Sequence, residues 1–198
     1  MSTATSTTLL DGLRREGGEQ AWREFFARYA PIVLATAKAA GLADDSAADA
    51  VQETMLSVHT AFRGGAEPYE RGKGRFKYWL KGVARHKAAD SLRRQARQAR
   101  AENNYLATSE RQDIAEPEWD SWFEMEWQRQ VLAETLRRVA REIDPVMYQA
   151  FELYAIHGRP AQQVARLLQI TRNMVYISRS RMIRRIRSVS TTVAQEME

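Results

Sequence analysis

The sequence contains no cysteine among its 198 residues. Disulfide bonds, thiolate metal sites and a cysteine nucleophile are therefore excluded, and nothing points to an oxidising compartment. No apolar run approaches the roughly 18 residues that span a bilayer, and the polar N-terminus lacks the apolar core of a signal peptide. We therefore expect a cytoplasmic protein without membrane insertion.

Proline and glycine are scarce as well, with five and ten residues respectively. Apolar residues recur mostly at spacings of three and four, and alternating strand-like runs are missing, so the predicted fold class is all-α. The three histidines lack metal-ligand spacing, and no nucleophile or paired-carboxylate motif is visible. We therefore predict no catalytic residue, no metal and no cofactor, and the protein is not expected to be an enzyme.

The first half of the chain predicts three helices separated by breaks. The first covers about Glu19–Ala40, and the second follows Asp44-Asp45-Ser46, any of which can act as its N-cap, and ends at Phe62. A glycine-rich loop then runs from Arg63 to Gly74. The third helix is expected over about Arg75–Arg100.

The second half predicts shorter helices. One begins near Trp127, and Asp144-Pro145 is typical of an N-cap followed by proline at the first helical position. The segment Pro160 to Arg187 has the spacing of a helix-turn-helix, in which Thr171 caps the second helix. Its turn passes through Gln169, at a position that often requires positive φ and prefers glycine.

Charge is distributed unevenly around a net charge of +5. Between Arg71 and Arg100 the basic residues are opposed by Asp90 alone, and between Arg159 and Arg187 every charged residue is an arginine. The intervening stretch is acidic from Glu102 to Glu126 and shows no periodicity. It therefore predicts a flexible acidic linker, beside which Trp122 and Trp127 are expected to pack in the start of a second domain.

The last helix is a candidate reader of duplex DNA. Arginine can bond bidentately to guanine and asparagine to adenine, and the more distal arginines are better placed for phosphates. The alternative is a solvated basic helix in an ordinary bundle. The residues predicted to contact DNA are Arg172, Asn173, Tyr176, Arg179, Arg181, Arg184 and Arg185.

The third helix is a candidate binder of a single strand, because basic residues there alternate with aromatic ones. Phe76 and Trp79 fall on its apolar stripe and are expected in the core, whereas Tyr78 lies off the stripe and is the better stacking candidate. The candidate strand-binding residues are Lys73, Arg75, Lys77, Tyr78, Lys81, Arg85 and Lys87.

Together these motifs resemble regions 2 and 4 of the extracytoplasmic-function (ECF) subfamily of sigma-70 factors. The segment Asp49-Ala50-Val51-Gln52-Glu53, then Phe76 to Leu80 and Val83-Ala84-Arg85, resembles region 2. Gln163-Val164-Ala165 and the helix after Ile170 resemble region 4. Gln163 departs from the Glu of the family motif, which affects the expected promoter sequence rather than the class.

The resemblance implies two small helical domains, a sigma region 2 helical bundle and a region 4 helix-turn-helix, joined by the flexible acidic linker. The expected division is an N-terminal tail over 1–17, region 2 over 18–100, the linker over 101–126, region 4 over 127–190 and a C-terminal tail over 191–198. The acidic linker is expected to mimic nucleic acid charge in the polymerase cleft.

The resemblance also implies a function and partners. The protein would bind core RNA polymerase, through the clamp helices of the largest subunit and the flap of the second, and direct transcription initiation at promoter DNA. Asp49, Gln52 and Glu53 would contact the clamp helices, and the loop from Arg63 to Gly74 would capture a flipped base of the minus-10 element. The helix-turn-helix would recognise the minus-35 element, and an anti-sigma factor is a further candidate partner.

One alternative stays open, a helix-turn-helix repressor or activator with a helical N-terminal sensor domain. Such a protein binds its operator without polymerase, usually as a dimer.

Overall fold

Residues 4–15, 18–64, 69–70, 74–103 and 115–198 are described by a computed structural model of the chain. Every regular element in these ranges is a helix, which confirms the all-α prediction. The chain divides into two compact units, one formed by Met1–Gln130 with Met197–Glu198 and the other by Val131–Glu196. We call them unit 1 and unit 2.

Unit 1 begins with a helix, α1, which covers Ala4–Arg14 where the sequence predicted an N-terminal tail. The prediction is wrong because Leu9, Leu10 and Leu13 are all buried. Their close spacing gives the helix one apolar face, and burial of each leucine contributes about 1.5–3 kcal/mol relative to exposure. The Ser- and Thr-rich residues before them conceal this short stripe in the sequence.

The next two helices lie close to their predicted bounds, with α2 at Glu19–Ala39 and α3 at Asp44–Phe62. Gly41 separates them with a φ of 93°, a left-handed conformation that favours glycine. The expected side-chain cap of α3 is absent, since its N-cap is Ala43. Asp44 and Asp45 lie instead in the first turn, where carboxylates interact favourably with the positive end of the helix dipole.

The fourth helix, α4, covers Phe76–Asn103 and packs its start into an aromatic core. The ring of Phe76 is 99% buried and lies 5.3 Å from Tyr29 and 5.5 Å from Tyr69, measured between ring centres. Leu80 and Ala84 continue the same buried face along the helix. This packing fixes which face of α4 is turned away from the core.

The fifth helix, α5, covers Glu116–Glu142 and corrects the prediction of a flexible linker for residues 116–126. Trp119, Phe123 and Trp127 recur every four residues and are buried, so this segment of unit 1 has a strong apolar face. Trp122, which the sequence placed in a packed core, is only half-buried. Of the remaining predicted linker, residues 104–114 lie outside the described residues.

Unit 2 contains the segment that the sequence predicted to form a helix-turn-helix. Helix α6 covers Pro145–Phe151, and the carboxylate of Asp144 accepts bonds from the amides of Val146 and Met147, which confirms the predicted cap. The chain continues as a π-helical turn over Glu152–Ile156, in which the amide of His157 donates to the carbonyl of Glu152.

Two further helices complete this unit, α7 at Ala161–Leu167 and α8 at Arg172–Met197. The predicted C-terminal tail over 191–198 is therefore wrong for most of its length. Val189 and Val193 are buried, and they extend the apolar face of α8 beyond the predicted end of the domain. Within unit 2 the buried Glu196 lies 2.7 Å from the Nη2 atom of Arg138 and holds the pKa of that guanidinium above its ordinary value.

Candidate nucleic-acid and polymerase interfaces

Three of the predicted strand-binding cations form a row on α4. Lys77, Lys81 and Arg85 stand four residues apart, so each lies about 6 Å further along the helix axis than the last. Lys77 is buried, and the other two are half-buried. We call this set the cation row.

The cation row is matched by a carboxylate row on α5, formed by Glu116, Asp120 and Glu124. Lys77 Nζ lies 2.7 Å from Glu124 Oε2, and Lys81 Nζ lies 2.7 Å from Asp120 Oδ2. Arg85 Nη1 lies 3.2 Å from Glu116 Oε1.

The order of these partners is reversed between the two helices, and both rows advance in steps of four residues. The result is an antiparallel ladder of ion pairs within unit 1.

The innermost pair of the ladder is Lys77 with Glu124, whose lysine is the most buried of the three cations, and it has a clear effect on a pKa. Burial alone would raise the pKa of the Glu124 carboxyl. Hydrogen bonds from Gln128 and Lys77, together with the charges of Lys77 and Lys81, outweigh that effect and lower the pKa of Glu124 below its ordinary value. The Lys77 ammonium also lies 5.1 Å from the ring centre of Trp127, a cation–π distance.

The other predicted strand-binding residues have varied surroundings. Arg75 is exposed and pairs with Glu198 of the same unit at 3.0 Å. Tyr78 is 55% exposed, as expected for a stacking residue, and its ring lies 5.4 Å from Lys81 Nζ. Lys87 is half-buried. Lys73 and the interior of the loop from Arg63 to Gly74 lie outside the described residues.

A groove between α3 and α4 was not anticipated from the sequence. It encloses about 550 Å³ and is lined in part by Leu56, Trp79 and Lys87. Leu56 is 65% exposed, and it falls outside the buried stripe of α3. In the sequence, this apolar residue outside the buried stripe of α3 was the one signal that could have predicted the groove. Trp79 is half-buried rather than enclosed in the core, so its ring edge contributes to an open surface.

The turn between α7 and α8 has the predicted backbone. Gln169 adopts a φ of 55°, which confirms that this position requires the left-handed conformation. Thr171 Oγ1 accepts a hydrogen bond from the amide of Met174 at 3.2 Å and so caps α8 as predicted. Beneath the turn a small cluster of Ala150, Val164 and Val175, with other apolar side chains, fixes α7 against α8.

The predicted duplex-contacting residues lie on the exposed side of α8. Arg172, Asn173 and Arg179 are exposed, whereas Val175 and Ser178 are buried on the opposite face of the helix. Tyr176 is 49% exposed and packs edge-on against Tyr154 at 5.6 Å between ring centres.

The more distal arginines on α8 differ in their pairing. Arg181 and Arg184 are exposed. Arg185 Nε donates to Glu142 Oε2 at 2.8 Å, so this arginine already has an anionic partner within unit 2. Arg181 and Arg184 are therefore the better placed of the three for external phosphates.

The predicted polymerase-binding residues lie together on α3. Asp49 and Gln52 are exposed, and Glu53 is half-buried. Glu53 Oε1 lies 2.6 Å from Arg94 Nη1, and this hydrogen bond raises the pKa of the Arg94 guanidinium above its ordinary value. Glu53 is thus held in place by α4, whereas the exposed Asp49 contributes to the same effect on Arg94 through its charge.

An apolar groove of about 380 Å³ adjoins this acidic face. It lies between α2 and α3, and its lining includes Phe26, Pro31 and Gln52. Phe26 is 50% exposed and so presents apolar area at this groove. Gln52 therefore belongs both to the predicted contact set and to the rim of the groove.

Two kinds of site are missing from the part of the chain that the structure describes. No three acidic or histidine side chains there converge in a way that could hold a metal ion. Among the same residues no helix has the combined length and apolarity needed to cross a membrane.

Comparison with known proteins found a family model that matches part of the chain. Residues 25–98, from within α2 to within α4, match the family model of Sigma-70 region 2. No curated protein matches the chain. The match covers the acidic face of α3 and the cation row of α4, and it supports the sigma-70 family, whose region 2 points to a role in promoter recognition and transcription initiation.

Proposed function

We propose that the chain is a sigma factor of the ECF type, which binds core RNA polymerase, directs it to promoters and has no catalytic activity of its own. The observation that carries the proposal is the region 2 match over residues 25–98, in a chain whose second unit also holds two helices, α7 and α8, joined by a tight turn. Unit 1 would bind polymerase and the minus-10 element, and unit 2 would read the minus-35 element as region 4 does.

Recognition of the minus-10 element is supported by α4. The cation row supplies three positive charges in register along one face, and Tyr78 is exposed beside it. A positively charged track with an adjacent aromatic ring is typical of sites that hold single strands, where base stacking contributes about 1–3 kcal/mol per base. The half-buried Trp79 in the neighbouring groove offers a second ring.

Recognition of the minus-35 element is supported by α8. Its first turns present Arg172, Asn173 and Arg179 to solvent on a helix whose opposite face is packed. A major groove accepts such a helix, and bidentate arginine and asparagine contacts discriminate bases by about 1–3 kcal/mol each. Arg181 and Arg184 would hold the phosphates alongside.

Polymerase binding is supported by α3. Asp49 and Gln52 are exposed beside an apolar groove, so the surface combines polar contacts at its rim with apolar area at its centre. The exposed carboxylate of Asp49, on the same helix, would complement a basic partner and favour rapid, specific association.

The test is reconstitution with bacterial core polymerase. We expect the purified full chain to co-elute with the core enzyme and to yield defined transcripts from a pool of genomic fragments, whereas core enzyme alone should not. Asp49→Arg should weaken co-elution, because the exposed carboxylate is replaced by a cation, which would be repelled by a basic partner surface. Glu19→Arg makes the same charge change on α2 and should have little effect.

The result that would overturn the proposal is also defined. If the chain never associates with the core enzyme and instead binds a duplex operator tightly by itself, it is a conventional helix-turn-helix regulator.

A further inference from the structure

The ladder between α4 and α5 has a consequence for the DNA-binding role of the cation row. Glu116, Asp120 and Glu124 present single negative charges at regular intervals, as the phosphates of a nucleic acid strand do. They occupy the cations that a strand would need. Lys81 Nζ and Arg85 Nη1 reach their carboxylates at 2.7 Å and 3.2 Å.

We propose that α5 is an internal competitor of DNA, which blocks the cation row of α4 until the carboxylate row is displaced. The inference rests on the proposed function, because the cation row must bind a strand for its occupation to matter. It adds to that function an intrinsic restraint on the chain when polymerase is absent.

The attachment of α5 supports a specific docked state rather than a loose attraction between charges. Trp119, Phe123 and Trp127 form an apolar row beside the carboxylate row, and all three are at least 99% buried. The ring of Trp127 lies 5.7 Å from Tyr29 of α2, measured between ring centres. The apolar row therefore sets the register in which the carboxylates meet the cations.

The exposure of the ion pairs increases along the ladder, which would allow the carboxylate row to be displaced from one end. The side chains of Lys77, Lys81 and Arg85 are 8%, 22% and 29% exposed, so the cations become more accessible towards Arg85. Glu116, the partner of Arg85, is 69% exposed and lies at the first residue of α5. A strand can therefore replace Glu116 first, and then Asp120, before the innermost pair opens.

The test compares two variants of the full chain with the same change in charge. Glu116→Gln with Asp120→Asn removes the two outer carboxylates and spares the buried Lys77 pair, so the fold should be retained. Asp45→Asn with Glu118→Gln is the matched control, since neither of these exposed carboxylates pairs with a cation among the described residues. Thermal unfolding of both variants checks that the helices are intact.

The measurement is binding of a fluorescent single-stranded oligo(dT), without polymerase, over a range of salt concentrations. We expect the ladder variant to bind several-fold more tightly than the control. The dependence of log affinity on log salt should steepen by about 1.4, because each freed cation adds about 0.7 for a single strand. Adding Lys81→Ala and Arg85→Ala to the ladder variant should abolish the gain.

Equal binding by the ladder variant and the control would overturn the inference. A gain that survives Lys81→Ala and Arg85→Ala would overturn it too, since the strand would then be bound elsewhere. The proposed function fails by a different result, the absence of polymerase-dependent transcripts. If transcripts form and need Lys81 and Arg85 while the ladder variant equals its control, the function stands and the internal competitor does not.

Discussion

The ammonium of Lys77 lies 2.7 Å from a carboxylate oxygen of Glu124, and the two residues come from helices of the same unit. The lysine side chain is 8% exposed and the glutamate side chain is 51% exposed. A buried cation is tolerated only when an anion or hydrogen-bond acceptor compensates for lost hydration. Glu124 therefore stabilises the docked position of α5 as well as balancing charge.

Replacing Glu124 should reveal this dependence. Glu124→Gln leaves the buried ammonium without its anion, and we expect the free energy of unfolding to fall by about 1 kcal/mol, with the half-exposure of the glutamate limiting the loss. Adding Lys77→Met should recover part of the loss, because the buried charge is then removed. Urea denaturation at neutral pH measures both effects. Glu118→Gln removes only a favourable interaction with the helix dipole and should cost less, and an equal loss there would contradict the assignment.

The same pair predicts a pH dependence. The pKa of Glu124 is lowered in the folded state from an ordinary value of 4.5, so its stabilisation is fully present above that value. It is lost as the pH falls through the lowered pKa and the carboxylate is protonated. The stability gap between the native protein and Glu124→Gln should therefore be large at neutral pH and should close in acid, at a pH below the lowered pKa. Urea midpoints at the two pH values test this, and a gap that persists in acid would contradict it.

A substitution in the turn between α7 and α8 should stabilise the protein. Gln169 has a φ of 55°, a conformation that is costly for a side chain with a Cβ atom and free for glycine. Gln169→Gly should raise the free energy of unfolding by about 0.5–1 kcal/mol, net of the greater flexibility of unfolded glycine. Gln163→Gly, in the interior of α7, should lower it by about 1 kcal/mol. Destabilisation by both changes would mean that the turn is not strained.

Charge reversal at the start of α8 should alter promoter choice without unfolding the helix. A negative charge is favourable near a helix N-terminus, so Arg172→Glu should leave stability unchanged or improved. Loss of a bidentate base contact should still reduce minus-35 discrimination by about 1–3 kcal/mol.

Transcription by the reconstituted holoenzyme from promoters with altered minus-35 elements measures that loss. Arg159→Glu, an exposed reversal outside the predicted contact set, is the control. An unchanged preference would show that another register of α8 faces the DNA.

Features of the fold that depend only on a few neighbouring residues were predicted correctly from the sequence. The Asp144-Pro145 cap, the positive φ at Gln169 and the end of α3 at Phe62 each follow from the conformational preferences of a few neighbouring residues. The buried and exposed faces of α8 followed from helical periodicity. These features need no knowledge of what packs against them.

The prediction of a linker was wrong because the structure of this segment depends on its packing against a distant part of the chain. Glu116 to Glu126 was predicted to be a linker because its charge is one-sided, and the recurrence of Trp119, Phe123 and Trp127 every four residues was overlooked. Pro117 and the acidic residues Glu116 and Glu118 in the first turn were in fact helix-start signals. What could not be read from local rules is that the carboxylates face the cation row of α4, since this pairing joins residues far apart in the chain.

The π-helical turn at Glu152–Ile156 leaves Ala155 exposed. Hydrogen bonds that span five residues place one more residue in a turn than an α-helix holds. Such a turn has the form of a single-residue insertion that the helix absorbed locally. Related chains that lack this residue would form an uninterrupted α-helix here, so a one-position gap in an alignment need not signal a different domain.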